Sequence, residues 1–454
     1  MSQKPPTSRD LFAFRPLLAV ARSGMYPAVF QLATAAVFVL IVFQLLVGPD
    51  VAHENFGTAL VWVLWWPLLP LMFLAVGRFW CAICPFGTLS DLVQRVVGAE
   101  RPVPAFLKRY GIWVIDASFI LITWADHVWG VVESPWGSGV LLLIITTGVI
   151  ISGAFFKRRT FCRYICFIGG LAGNYSRAGM TALRVDADIC ATCTAGAPCF
   201  NGSEHAPACP MFEFPRKMDS SENCTFCANC VKNCPNDAIA LTVRPPTSEL
   251  WFIAKPNFAA AFLAAAIMGI VLIQNITMLG FWEDLLTSIE RTTGITSYTL
   301  IFTVAFAVAV AIPVMALYLS ALVARRFNRE TATLNFARFG YALIPLDLAA
   351  HVAHNLFHIL AEGKAVFFTS AALFGREDNG ASNAILGTST IQILQFALVG
   401  LGVVGSIYTA HRIARHAYAE NGPVFAKYAP YAVLFVVFGL LNIFLFMQPM
   451  AMRM

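Results

Sequence analysis

Residues 256–279 read PNFAAAFLAAAIMGIVLIQNITML, with no charged side chain in the run. A helix rises 1.5 Å per residue, so about 20 such residues cross a bilayer core. Eight further stretches have this character: 26–48, 58–77, 111–130, 138–156, 298–324, 339–361, 389–410 and 428–449. The composition agrees, because 58% of the 454 residues are hydrophobic and only 12% are charged. Soluble domains carry roughly 25% charged residues, so a disordered chain is excluded and a soluble enzyme is disfavoured. The expected fold is a polytopic α-helical membrane protein with about nine transmembrane helices. The run 26–48 is too long for a signal-peptide core and reads as a retained helix.

Charge placement orients the helices. With a cytoplasmic N-terminus, the segments 1–25, 78–110, 157–255, 325–338 and 411–427 hold 27 of the 31 Lys and Arg residues. The opposite side holds Arg291, Lys364, Arg376 and Arg453, with acidic residues such as Glu133, Glu283, Glu377 and Asp378. This is the positive-inside pattern. It explains the net charge of +6 as membrane topology, with no nucleic-acid partner. Three regions are expected: 1–179, four membrane helices; 180–250, a cytoplasmic insert; and 251–454, about five more helices.

All twelve cysteines lie between Cys81 and Cys234. The run Cys224-x2-Cys227-x2-Cys230-x3-Cys234-Pro235 has the spacing of a bacterial ferredoxin. Three thiolates grip one iron–sulfur cube and the fourth ligates a second. Upstream, Cys190-x2-Cys193-x5-Cys199-x9-Cys209-Pro210 is the same run stretched by insertions. Crossing the fourth ligands gives two 4Fe-4S sites: Cys190, Cys193, Cys199 with Cys234, and Cys224, Cys227, Cys230 with Cys209. Asn236–Ile239 and Ala240–Val243 fit the short helix and strand that follow in a ferredoxin-like α+β domain. His205, inside the insertion, reads as a loop histidine.

The other four cysteines follow two helix exits, in Arg78-Phe79-Trp80-Cys81-Ala-Ile-Cys84-Pro85 and Arg159-Thr160-Phe161-Cys162-Arg-Tyr-Ile-Cys166. Both pairs fall on the cytoplasmic side. Together they offer four thiolates for a third metal centre or a redox dithiol.

With these motifs in hand, residues 60–245 resemble the NosR/NapH-type membrane polyferredoxins, named for proteins of nitrous oxide and periplasmic nitrate reduction. The resemblance implies a bacterial cytoplasmic (inner) membrane location and electron transfer linked to the quinone pool. In the family the membrane motif is Cys-x3-Cys-Pro. Here the first copy is one residue shorter and the second has Phe167 in place of Pro. About 25 residues precede the first helix, so the extracytoplasmic flavin domain of some members is not expected. The immunoglobulin-like tail of the relatives that serve oxidase assembly is not expected either.

In the C-terminal region, Asp347, His351, His354 and His358 recur at offsets of 4, 3 and 4, one stripe of one helix. Ionisable side chains inside a membrane are costly and mark functional positions. The stripe could bind a quinone head group, relay protons, or ligate haem b or another metal. Haem would need an opposing ligand, and His127, His411 and His416 make no compelling pair. Asp116 reads as a second buried carboxylate, either paired with an Arg or part of a proton path. Pro313 and Pro345 are expected to kink their helices. Trp62, Trp65, Trp66, Trp129 and Trp136 fit interfacial belts.

The expected function is a membrane-bound iron–sulfur relay between a cytoplasmic redox protein and the quinone pool or an extracytoplasmic acceptor. Absent nucleophile, phosphate-loop and dinucleotide motifs argue for one subunit of a larger redox complex rather than a self-contained enzyme. The rival is a maturation or regulatory redox protein for a periplasmic metalloenzyme.

Overall fold

The computed structural model describes residues 10–376, 382–418 and 423–449. Glu377, Asp378 and Arg453 lie outside them. The described chain is mostly helical, with two strands. Eight helices are long and apolar enough to cross a membrane: Ala28–Val47, Phe56–Val97, Pro135–Phe155, Phe258–Thr277, Tyr298–Asn328, Ala332–Glu362, Thr388–Tyr418 and Val424–Met447. The ninth expected stretch lies within the helix Ala105–Trp129. At 25 residues it is long enough, but Lys108, Arg109, Asp116 and Asp126 set it apart from the apolar eight.

At 42 residues, Phe56–Val97 exceeds a membrane core about twofold if straight. It bends where the sequence permits. Gly77 takes a positive φ of 58°, which a glycine tolerates, and Arg78 is non-helical. Cys84 is extended and caps a new helix, Pro85–Val97. Residues Ala59–Trp65 form a π-helical segment. Ala332–Glu362 is jointed by a 3-10 turn, Tyr341–Leu343, and restarts with Pro345 in its first turn, where proline is tolerated. The helix Tyr298–Asn328 runs on through Pro313.

The chain divides into two compact units, neither contiguous. One comprises residues 1–40, 71–115 and 143–249; the other comprises 41–70, 116–142 and 250–454.

The first unit carries every cysteine. Its strands, β1 (Thr181–Val185) and β2 (Ile239–Val243), pair antiparallel with Thr181 opposite Val243. Phe12, Leu17 and Leu18 of the N-terminal segment pack with Leu183, Phe226, Val231 and Ile239 in one apolar cluster. The Asp10 carboxylate accepts from Leu241 N–H at 3.2 Å, and Tyr26 Oη donates to Phe226 C=O at 2.6 Å. Pro235 and Asn236 make a turn and residues 237–238 are irregular, in place of the expected helix. Asp237 sits at φ 52°, outside helical space, and pairs with Arg22.

The second unit is a helix bundle. Phe258–Thr277 and Ala332–Glu362 are its centre: 78% of each span is buried, against 22% of Tyr298–Asn328. Small residues let the backbones approach, as expected where helices pack in lipid. A Cβ on Gly269 would lie 2.2 Å from Ala309 C=O. Aromatic side chains fill the rest, with Phe339 stacked 4.3 Å from Tyr431.

Candidate metal centre

The cysteine segments are shaped by unusual backbone. In the Cys224–Cys230 loop, Phe226 and Ala228 hold positive φ values of 56° and 59°. Successive residues of this kind turn peptide N–H groups inward and make a concavity suited to an anion. The loop ends in the short helix Asn229–Lys232. Gly196 and Ala197 play the same part in the stretched half, at φ 71° and 61°, before the helix Pro198–Asn201. The insertion folds back on the other half: Ser203 Oγ donates to Asn233 Oδ1 at 2.6 Å, and Asn233 Nδ2 to Ala206 C=O at 2.9 Å. His205 is solvent-exposed, 3.9 Å from Glu204.

The thiols fall into three neighbourhoods. Burial pushes the Cys199 thiol up, and Cys234, Cys190 and Cys193 add to the shift. The Cys190 thiol is raised by burial and then by Cys234 and Cys193. In the second group, burial pushes Cys224 up to about 12, with Cys227 and Cys209 contributing. Cys209 goes up to about 11, by burial and then Cys227. Cys230 rises well above the usual thiol range through burial, Cys227, Cys224 and Cys209, and it also senses Cys199. These are the two quartets that crossed ligands require. Ala238 N–H points at Cys234 Sγ, 3.3 Å away.

The third neighbourhood joins the two helix exits. Burial raises the Cys166 thiol well above its usual range, and Cys162, Cys84 and Cys81 raise it further. The Cys162 thiol goes up to about 11, chiefly by burial, against the lowering influence of Arg159. The two exits are built alike. Cys81 and Cys162 sit in short helices, Trp80–Ile83 and Thr160–Tyr164. Cys84 and Cys166 cap the helices Pro85–Val97 and Phe167–Ala178. The peptide N–H groups of Gly87 and Gly169, three residues after each capping cysteine, face the Cys84 and Cys166 sulfurs. A helix N-terminus favours an anionic thiolate.

Two buried arginines, each three residues before its first cysteine, complete the arrangement. Arg78 is 3% exposed and Arg159 is 2% exposed. Each reaches the other exit as well as its own. A Cβ on Gly169 would lie 3.7 Å from Arg78 Nη2, whereas one on Gly87 would lie 3.3 Å from Arg159 Cζ. Arg159 Nη1 donates to Cys81 C=O at 2.9 Å, and its Nη2 pairs with Asp91 at 2.7 Å. Arg78 Nη1 donates to Glu222 C=O at 2.6 Å. Sequence reading noticed the arginines but not that each reaches both exits, Arg78 facing Cys81 as well as Cys166 and Cys162.

All twelve cysteines are free of disulfides. Among the described residues, no three His, Cys, Asp or Glu side chains converge as they would on a single metal ion. A four-iron cube does not need that convergence, since each thiolate binds its own iron. The donor set fits such a group: twelve cysteines in three neighbourhoods, with thiols raised first by burial and then by one another, costs that bound iron would relieve.

In the second unit, Asp347, His351, His354 and His358 are 0–3% exposed. His354 Nδ1 lies 2.6 Å from Asn275 Oδ1, and His358 Nδ1 lies 3.2 Å from Glu362 Oε2. Asn275 and Glu362 escaped sequence reading. Trp66 packs against His351 with ring centroids 6.1 Å apart, and Trp62 Nε1 donates to Ser138 Oγ at 2.9 Å. These two tryptophans are thus interior, whereas Trp129 and Trp136 are 69% and 64% exposed, as a belt requires. The three histidines weighed as opposing ligands are engaged elsewhere: His127 stacks on Phe302, His411 meets Tyr428 and His416 meets Phe252. Asp116 is buried with neither carboxylate oxygen hydrogen-bonded, so the expected arginine pairing is not seen.

Comparison with known proteins bears on the third neighbourhood. Residues 58–104 and 138–184 each match the family described as 4Fe-4S binding domain. These segments contain the Cys81/Cys84 and Cys162/Cys166 pairs. Over 236 residues, 46% of its length, the chain is 24% identical to the "Putative electron transport protein YccM" of Escherichia coli (strain K12), covering 64% of that protein. Over 177 residues, 38% of its length, it is 25% identical to the "Uncharacterized protein MJ0749" of Methanocaldococcus jannaschii, covering 67% of it. The chain thus spans about two thirds of the length of these curated relatives. No solved structure matches it. Helices and matches together define a membrane protein with a repeated 4Fe-4S binding domain. Both matches are consistent with the membrane polyferredoxins that its cysteine motifs resemble.

Proposed function

We propose that this protein relays electrons through three 4Fe-4S sites between a cytoplasmic redox partner and the quinone pool or an extracytoplasmic acceptor. It works in a bacterial cytoplasmic membrane as a subunit of a larger redox complex. Residues 180–250 are its two-cluster ferredoxin-like insert, and Ala105–Trp129 crosses the membrane as a ninth helix. The order of the thiol groups carries this reading. Cys199 of the first quartet neighbours Cys230 of the second, and Cys227 of the second is sensed by Arg159 beside Cys81 and Cys162. Bound clusters supply one-electron chemistry. The chain's own part is to hold them in file, bury them and compensate their charge with Arg78 and Arg159. The printed description of the Escherichia coli relative supports the same direction.

The histidine stripe serves proton or quinone work on this reading. Haem ligation has less support, because His127, His411 and His416 are engaged elsewhere. A pyridine haemochrome assay checks this, with no haem expected.

Anaerobically purified protein should contain about twelve iron atoms per chain, four for each cube. Cys227→Ser should remove one reduced-cluster signal in electron paramagnetic resonance. In liposomes, a quinol should bleach the cluster absorption at turnover rates. Iron-free protein, or an unchanged spin count in Cys227→Ser, defeats the relay. Slow, substoichiometric bleaching points to the maturation role instead.

A further inference from the structure

We propose that Asp347, His351, His354, His358 and Glu362, with Asn275, form a proton-transfer path through the C-terminal helix bundle. The proposal deepens the reading of the stripe given above, from which its test is kept separate.

The five side chains lie on one helix, Ile344–Glu362, at offsets of 4, 3, 4 and 4. From first to last they run about 22 Å along the axis, most of a ~30 Å membrane core. None is more than 3% exposed. Lys364, two residues past Glu362, is exposed, so that end of the file lies close to the helix end and to water. At the other end both Asp347 oxygens are buried without a hydrogen-bond partner. A carboxyl group so placed is costly unless it is neutral or paired. No contact of its own offsets that cost, whereas taking up and releasing a proton would use the group.

The contacts suit stepwise transfer. His354 Nδ1, 2.6 Å from the Asn275 carbonyl oxygen, carries a hydrogen and donates it, which leaves Nε2 as the nitrogen that accepts. The His354 and His358 rings meet edge to face, centroids 5.3 Å apart. A proton arriving at His358 Nε2 releases the Nδ1 proton to Glu362 Oε2, 3.2 Å away. One N–H bond forms, one breaks and one O–H bond forms. The imidazole changes tautomer and no electron moves. Trp66, next to the π-helical segment Ala59–Trp65, covers the His351 flank, and π segments of this kind recur at functional positions. The ring nitrogens' contacts with Asn275 and Glu362 suit proton transfer along the helix.

The test is proton flux in liposomes that hold the full chain and an internal pH dye, driven by a potassium diffusion potential. It is run with the protein oxidised and again with it reduced by dithionite. In at least one redox state the wild type should exceed Asp347→Asn and Glu362→Gln about tenfold. His354→Gln provides a third variant should either of the others fail to fold. Iron content and elution volume report folding for each. Wild-type flux no faster than that of empty liposomes in both states overturns the path, as does full flux in correctly folded variants. Iron-loaded protein without flux defeats only this proposal; iron-free protein that conducts protons defeats only the electron relay.

Discussion

Arg159 joins several elements through one side chain. It caps the short helix Thr160–Tyr164, pairs with Asp91 on the helix Pro85–Val97 and donates to the Cys81 carbonyl. Buried cations beside a cluster stabilise its more negative, reduced form. Arg159→Gln should therefore lower the midpoint potential of the site at Cys81, Cys84, Cys162 and Cys166. Arg159→Lys should lower it less. A fall of roughly 60 mV, a tenfold change in the one-electron equilibrium, is the expected scale. A redox titration followed by paramagnetic resonance measures it, and an unchanged potential in iron-loaded Arg159→Gln removes Arg159 from this role. The thiol spacing was legible in the sequence because cluster ligation imposes it locally. The reach of Arg78 and Arg159 across both exits was not, because it depends on two segments some eighty residues apart folding against each other.

Among the elements, Phe258–Thr277 is the plainest case of agreement. Its apolar run announced a helix, and the structure buries 78% of it. Its neighbours were not announced, because a helix apolar on all sides carries no stripe to mark its contact face. Gly269 is that mark in three dimensions. Gly269→Leu should force this helix and Tyr298–Asn328 apart and cost about 1–3 kcal/mol, as overpacking does. Thermal unfolding in detergent should show a lowered midpoint. Gly280→Ala, where nothing lies within 4 Å of an added Cβ, should leave it unchanged. Equal midpoints for both variants contradict the close helix contact. The histidine stripe was visible for the opposite reason: charge within an apolar run stands out. Its partner Asn275, on another helix, carried no such signal, and Glu362 passed as a helix end.

For the whole molecule, sidedness turns on Ala105–Trp129. If this helix crosses, 27 of the 31 Lys and Arg residues share one side with the cysteine-rich insert. Alkaline phosphatase fused after Lys255 should then be inactive, and fused after Gly294 active. The reverse pair of activities would show that Ala105–Trp129 does not cross and would place the insert outside.

Apolar length was enough to announce the helices, and the cysteine motifs at the two helix exits fall in the segments that match a 4Fe-4S binding domain, because each is a local consequence of backbone geometry or metal chemistry. Folding alone determined the reach of the two arginines across both exits, the course of the buried file from Asp347 to Glu362, and the division into two discontinuous units. Those features depend on which distant surfaces exclude lipid and water together, and a linear chain does not encode that choice in any one neighbourhood.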